Sequence, residues 1–204
     1  MGILKKLIIV ALLLNINLSF AQTQAQITAF ENSYTQETAG EYSKATQELK
    51  QVYSETSYPI NLRLGWLSYS SGLFTESIAY YTKAIQLMPY SIEARLGIVY
   101  PAGAVGNWAL VIKTYKNILD IDPKNYTANY KLASIYYGRK EYSSATKYLE
   151  TIINLYPFDY NSTILYAWNN YQLGKIREAR LLFNKALMLS PKDASATEGL
   201  SLIQ

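Results

Sequence analysis

The sequence predicts an all-α fold, an α-solenoid of stacked antiparallel helix pairs, and three observations predict it. Four prolines, Pro89, Pro123, Pro157 and Pro191, follow one another at intervals of 34 residues. Phe74, Trp108, Tyr142 and Ile176 keep the same interval of 34, and each opens a second helical stretch within its unit. Each proline closes a helical pattern that ends in an aliphatic, as in Leu87-Met88-Pro89 and Ile121-Asp122-Pro123. Proline disfavours helix in the residue before it and cannot extend the helix it follows. A unit of this length cannot bury its apolar face alone, so such an array is stabilised at the interfaces between neighbours.

From the N-terminus, Met1 to Lys6 is short and basic, Leu7 to Leu14 is apolar, and Ser19-Phe20-Ala21 places small residues before Gln22. This is the layout of a secretory signal peptide. Asn15 and Asn17 interrupt the apolar run, which falls short of the ~20 residues a membrane-spanning helix needs. The expectation is a signal peptide over 1–21, cleavage after Ala21 and export, with an uncleaved N-terminal anchor as the alternative. The junction resembles signal peptides of Gram-negative bacteria, which implies the periplasm or beyond.

Composition narrows the chemistry. The chain of 204 residues is half hydrophobic, has 17% charged residues and carries 20 tyrosines. Setting aside Lys5 and Lys6 of the leader leaves 17 of the 19 basic residues against 15 acidic ones, a net charge of +2. That balance argues against nucleic acid, which wants a concentrated basic stripe. There is no Cys and no His. Disulfides, thiolate zinc sites, a Cys nucleophile and a Ser-His-Asp arrangement are therefore excluded, and the commonest general base is missing. Asp120 and Asp122 stand at a helix end without the further oxygen ligands of a calcium loop. Gly97, Gly103 and Gly106 belong to no phosphate-binding loop. No catalytic residue, cofactor or metal is expected.

The repeat resembles the tetratricopeptide repeat (TPR) family. Leu64-Gly65-Trp66-Leu67-Ser68-Tyr69 through Gly72 and Phe74 is similar to that family's first helix and turn, and Thr75 to Ile85 to its second helix. Tyr166-Ala167, Gly174, Ala179, Phe183, Ala186-Leu187 and Pro191 match at the same offsets, as do Leu132-Ala133, Tyr136, Tyr142, Ala145 and Pro157. Four units of this kind are read at 58–91, 92–125, 126–159 and 160–193. Gly65, Ala133 and Ala167 are small where helices must approach closely, as are Ser77, Ala145 and Ala179 on the second helices. Tyr81, Tyr115 and Phe183 fill the space beside them.

The ends depart from the pattern. Glu41-Tyr42-Ser43-Lys44-Ala45 echoes a turn and second helix, with Ile27, Phe30 and Tyr34 on a preceding helix, so 22–57 reads as a degenerate repeat. Residues 194–204 read as a capping helix with Ala194, Leu200 and Ile203 on its apolar face. The unit 92–125 is distorted. Val99, Val111 and Ile118 occupy its small positions, and Pro101 lies inside its first helix, at a cost of about 3 kcal/mol in an unadapted helix. Gly97, Gly103 and Gly106 are expected to tolerate the irregular backbone, and a tolerated kink is expected there, with a hinge that opens the groove for a ligand as the alternative.

The resemblance also implies a binding groove, lined in that family by the first helix of each unit. Carried onto this chain, it points to Leu62, Trp66 and Tyr69 with Arg63 beside them, Leu96 and Tyr100, Tyr130 and Tyr137, and Ile164, Trp168 and Tyr171. Such aromatics combine a large contact area with a polar handle. Some family members hold a partner's C-terminal carboxylate with groove Lys, Asn and Arg. The corresponding positions here carry Pro59, Leu62, Trp66, Glu93, Leu96 and Tyr100, so that mode does not carry over. The function expected is an exported adaptor that holds a peptide or protein partner, plausible in an envelope complex. A carbohydrate-binding accessory protein is the alternative.

Overall fold

The computed structural model describes residues 23–203. The predicted signal peptide lies outside the described residues. Within them the protein is all-helical, with eleven helices and no strand. α1 covers 23–38. It is followed by α2 (Tyr42–Gln51), α3 (Tyr58–Ser70), α4 (Phe74–Leu87), α5 (Ile92–Ala104) and α6 (Trp108–Ile121). The remainder are α7 (Tyr126–Gly138), α8 (Tyr142–Leu155), α9 (Tyr160–Gln172), α10 (Ile176–Leu189) and α11 (Ala194–Ser201). Among the described residues no helix is long and apolar enough to cross a membrane.

The local chemistry that sets these boundaries repeats from turn to turn. Ser91, Asn125, Asp159 and Asp193, spaced by 34, stand as N-caps, each two residues after a proline. Their side chains accept the backbone N–H of Ala94, Ala128, Ser162 and Ala196 at 2.7–3.0 Å. Each cap satisfies one of the otherwise unpaired amides of a first helical turn and contributes about 1 kcal/mol in typical hosts. At the other end, Gly72, Gly106 and Gly174 adopt positive φ between +71° and +76°, and the next N–H bonds back to the carbonyl five residues earlier. This Schellman closure lets the second helix start at once. Lys140 takes the same left-handed place at φ 62° without the freedom of glycine.

The chain divides into two compact units, one ending at Trp108 and the other starting at Ala109. In the first, Ala29, Ala45, Leu49, Ile60, Leu64 and Leu67 form one buried cluster, with Phe30, Tyr42, Val52 and Tyr80 packed against it. The face α1 buries is carried by Ala29 and Ser33, whereas Ile27 and Tyr34 are exposed. Tyr81 of α4 is a wedge, and a Cβ placed on either Gly65 of α3 or Gly97 of α5 would run into its ring. The buried Ser77 hydroxyl donates to the Gly65 carbonyl at 2.7 Å. The small residues on α3 and α4 are thus small for the reason expected.

Gly97 corrects the expectation for the distorted unit. It is small because Tyr81 fills its place, while Gly103 faces open space and Gly106 alone of the three takes positive φ. α5 runs through the buried Pro101 without interruption.

In the second unit Val111, Tyr115 and Ile118 are the buried apolar residues of α6. Ala133, Ala145 and Leu149 form a small cluster between α7 and α8, with Tyr136, Tyr137, Tyr148, Leu165 and Tyr166 against it. Phe183, fully buried, centres the last cluster with Ala167, Ala179, Ala186, Ala196 and Ile203. Burying a Phe side chain contributes roughly 1.5–3 kcal/mol. α11 closes this cluster through Ala196, Gly199 and Leu200, with Ile203 just beyond its end, and not through Ala194, which is exposed.

Candidate functional site

In the first unit α3 and α5 carry the expected residues to one place. Leu62 and Trp66 lie one turn apart on α3, and Leu96 and Tyr100 one turn apart on α5, so each pair shares a face. With Arg63, and with Tyr34 of α1, they line a cavity of about 390 Å³. Tyr69 ties the aromatic wall together, with its ring centroid 5.9 Å from Trp66, 5.7 Å from Tyr100 and 5.8 Å from Phe74. Trp66 and Tyr100 nonetheless remain 40% and 57% exposed, so their faces are available to a ligand.

Arg63 is the polar centre of this wall. Its side chain is only 8% exposed, its guanidinium lies 3.8 Å under the Tyr34 ring centroid, and its Nη1 forms an ion pair with Glu37 of α1. The Trp66 indole N–H donates to the other oxygen of the same carboxylate. Nε and Nη2 of Arg63 are buried and have no hydrogen-bond partner among the described residues. Glu93 lines the opposite rim, where its Oε2 accepts the Tyr58 hydroxyl at 3.2 Å. Burial pushes the Tyr81 hydroxyl well above the ordinary tyrosine range, so it stays protonated in this wall.

The other expected residues belong to the second unit, and packing occupies much of their surface. Tyr130 stacks on Tyr126 with 4° between the rings, and Tyr137 meets Tyr142 edge-on at 5.5 Å. Ile164, Trp168 and Tyr171 pack on the Phe183 cluster. Trp168 sits 5.0 Å from the Phe183 ring, and its N–H donates to Ser195 Oγ at 2.8 Å. Sequence reasoning did not assign Tyr34 or Glu37 to the site. Their spacing of three residues on one helix face was the available signal.

A tyrosine relay also escaped the sequence reading. The Tyr126 hydroxyl donates to Asp159 at 2.9 Å and Tyr160 to Asp193 at 2.6 Å, while the Tyr58 hydroxyl pairs with Ser91 at 2.8 Å. Each links the start of one first helix to the cap of the next. The hydrogen bond to Asp193 pushes Tyr160 up to about 12, and the same bond holds the Asp193 carboxyl below its ordinary value. Ile92, in the corresponding place, has no hydroxyl.

The paired helices, capped at a constant period and packed around one large apolar residue per pair (Tyr81, Tyr115, Leu149 or Phe183), define a helical-repeat scaffold. Family models described as tetratricopeptide repeat match residues 58–90 and 104–168, so the chain carries tetratricopeptide repeats over those stretches. No curated protein matches it. Among solved structures it is similar to a tetratricopeptide repeat protein from Parabacteroides merdae ATCC 43184, with 19% identity and a TM-score of 0.75 over 88% of this chain and 72% of that one. It is also similar to the MamA protein, with 21% identity and a TM-score of 0.72 over 84% of this chain and 95% of that one. At these identities the likeness concerns the fold. Tetratricopeptide proteins are generally scaffolds for protein–protein interaction, and the fold of this chain suggests such a scaffold.

Proposed function

We propose that the protein is an exported adaptor that holds a peptide or protein partner on the aromatic wall of its first unit. The observation that carries this reading is the cavity between α3 and α5, where Trp66 and Tyr100 keep exposed ring faces beside Leu62 and Leu96. Aromatic anchors around a concave surface supply most of the affinity in interfaces of this kind, with hydrogen bonds fixing register. Export, and work in the periplasm or envelope, is supported by the basic, apolar and small-residue layout of residues 1–21. N-terminal sequencing of the protein recovered outside the cytoplasm tests that part, and a chain still starting at Met1 contradicts cleavage.

The partner reading is tested by binding to wild type and to Trp66→Ala/Tyr100→Ala. These two side chains are chosen because they are exposed, whereas Trp168 is committed to Phe183 and Ser195. A partner that binds the folded double variant as tightly as wild type contradicts the assignment. The same exposed rings suit the apolar face of a sugar. An oligosaccharide that binds, with the same loss in the double variant and no protein partner, favours that second reading.

A further inference from the structure

The second unit carries a surface that the wall of the first does not use. Residues 109–204 hold twelve basic and eight acidic residues, a net charge of +4, against five basic and seven acidic over 22–108. Lys124, Phe158 and Lys192 follow one another at the interval of 34, each directly after its proline. The Tyr126–Asp159 and Tyr160–Asp193 hydrogen bonds hold these three turns side by side, so the two lysines flank the phenylalanine along one edge. Phe158 is 73% exposed, and the Lys185 ammonium of α10 stands 5.6 Å from its ring centroid. Met188, one turn beyond Lys185 on α10, is 72% exposed, and Tyr156 on the near side of Pro157 is half exposed.

The acids of these turns are engaged within them. Asp122 accepts the Lys124 N–H and the Asn125 amide, Asp159 the Ser162 N–H and the Tyr126 hydroxyl, and Asp193 the Ala196 N–H and the Tyr160 hydroxyl. Among the described residues no carboxylate pairs with the ammonium groups of Lys124, Lys185 or Lys192. Interface hot spots between proteins lie in recessed pockets, whereas Phe158 and Met188 stand out from the helices with most of their surface in water. Apolar tips ringed by free lysines match an anionic lipid surface, where the tips reach the acyl boundary and the lysines meet phosphates.

We infer that this edge of the second unit docks the protein on an anionic lipid bilayer, with Phe158 and Met188 inserted at headgroup level and Lys124, Lys185 and Lys192 on the lipid phosphates. No helix among the described residues is long and apolar enough to cross a membrane, so the attachment is interfacial. It uses no residue of the Trp66–Tyr100 wall and is independent of the adaptor reading.

Co-sedimentation with vesicles tests it, on the chain from Gln22 onward, which keeps every described helix and removes the basic, apolar leader as a source of lipid binding. Pure phosphatidylcholine is compared with a mixture containing phosphatidylglycerol in roughly equal part. The expected result is at least about tenfold stronger partition onto the anionic vesicles, falling as salt is raised from about 0.1 M to about 1 M. Phe158→Ser/Met188→Ser and Lys124→Gln/Lys192→Gln are each expected to weaken it at least about fivefold. Lys175→Gln/Arg177→Gln, which removes two charges where α10 begins, at its opposite end, is expected to keep it. All six side chains are exposed, so helix content should be unchanged. In Phe158→Trp, vesicles with brominated acyl chains should quench the added indole, a signal that attraction by net charge alone does not produce.

Equal partition onto both kinds of vesicle, or onto neither, overturns the inference. So does full binding by Phe158→Ser/Met188→Ser with no quenching in Phe158→Trp, which is charge alone. Loss of an acidic protein partner or of a dimer in the serine variant, without vesicle binding by the wild type, overturns it in favour of that occupant. If vesicles do not bind while a protein partner is still lost in Trp66→Ala/Tyr100→Ala, the adaptor reading stands and only this inference fails.

Discussion

Single residues in this protein are decided by what stands opposite them more than by helix propensity. Gly97 and Gly103 share α5, but a Cβ at Gly97 meets the Tyr81 ring and one at Gly103 meets nothing within 4 Å. Gly97→Ala is therefore expected to destabilise by about 1–3 kcal/mol, because overpacking exceeds the propensity gain. Gly103→Ala should instead be neutral or stabilising by up to about 1 kcal/mol. Urea denaturation of both variants checks the pair, and equal effects would contradict the wedge. Lys140 holds a left-handed conformation where the neighbouring repeats use glycine. Lys140→Gly should raise stability by about 1 kcal/mol in the same measurement, as relief of strain outweighs the entropy of a freer unfolded chain. The sequence showed that these positions were small or turn-like. It could not show which glycine served a turn and which a close approach, since both reasons select the same residue.

At the scale of helices, the period of 34 made the pairs legible because proline punctuates every unit. The caps were equally present in the letters, as Pro-x-Ser, Pro-x-Asn and twice Pro-x-Asp. Their link to a tyrosine one unit earlier was not, because it depends on the stacking distance between helices. The terminal link makes a prediction about pH. Asp193 is held below 3.8 by the Tyr160 hydroxyl, so its folded value is depressed relative to the unfolded chain. Its contribution is present above about pH 4 and disappears as pH falls through the folded value. Tyr160 is raised from 10 to about 12, so on the alkaline side the contribution is complete below 10 and is lost as pH rises through 12. Melting of wild type and Tyr160→Phe should therefore differ at neutral pH and converge at both extremes. A difference that persists at pH 2 would show that the hydroxyl does not act through the Asp193 carboxylate.

For the molecule as a whole, fold and site were not equally readable. The array followed from spacing, but the groove depended on what covers each first helix. Trp66 and Trp168 occupy the same offset three periods of 34 apart. Trp66 is 40% exposed beside a cavity, while Trp168 packs on Phe183 and bonds Ser195, next to the helix that closes the array. Large aromatics serve packing and recognition alike, so residue type at a repeat position does not separate the two. Ser195 and the wedge at Gly199 belong to the terminal helix and break the equivalence. By this account Trp168→Ala should cost about 3–5 kcal/mol, since it empties a packed interface. Trp66→Ala should cost distinctly less stability and far more binding. Thermal unfolding of the two single variants separates these roles, and similar losses of stability would contradict the distinction.

The central claim is that the exposed aromatic wall of the first unit holds a partner. Affinity purification of the tagged chain from its native cells after cross-linking, beside folded Trp66→Ala/Tyr100→Ala, tests it most directly. The account predicts one stoichiometric protein with the wild type and its loss in the double variant. The same protein recovered at the same yield with both chains would contradict it.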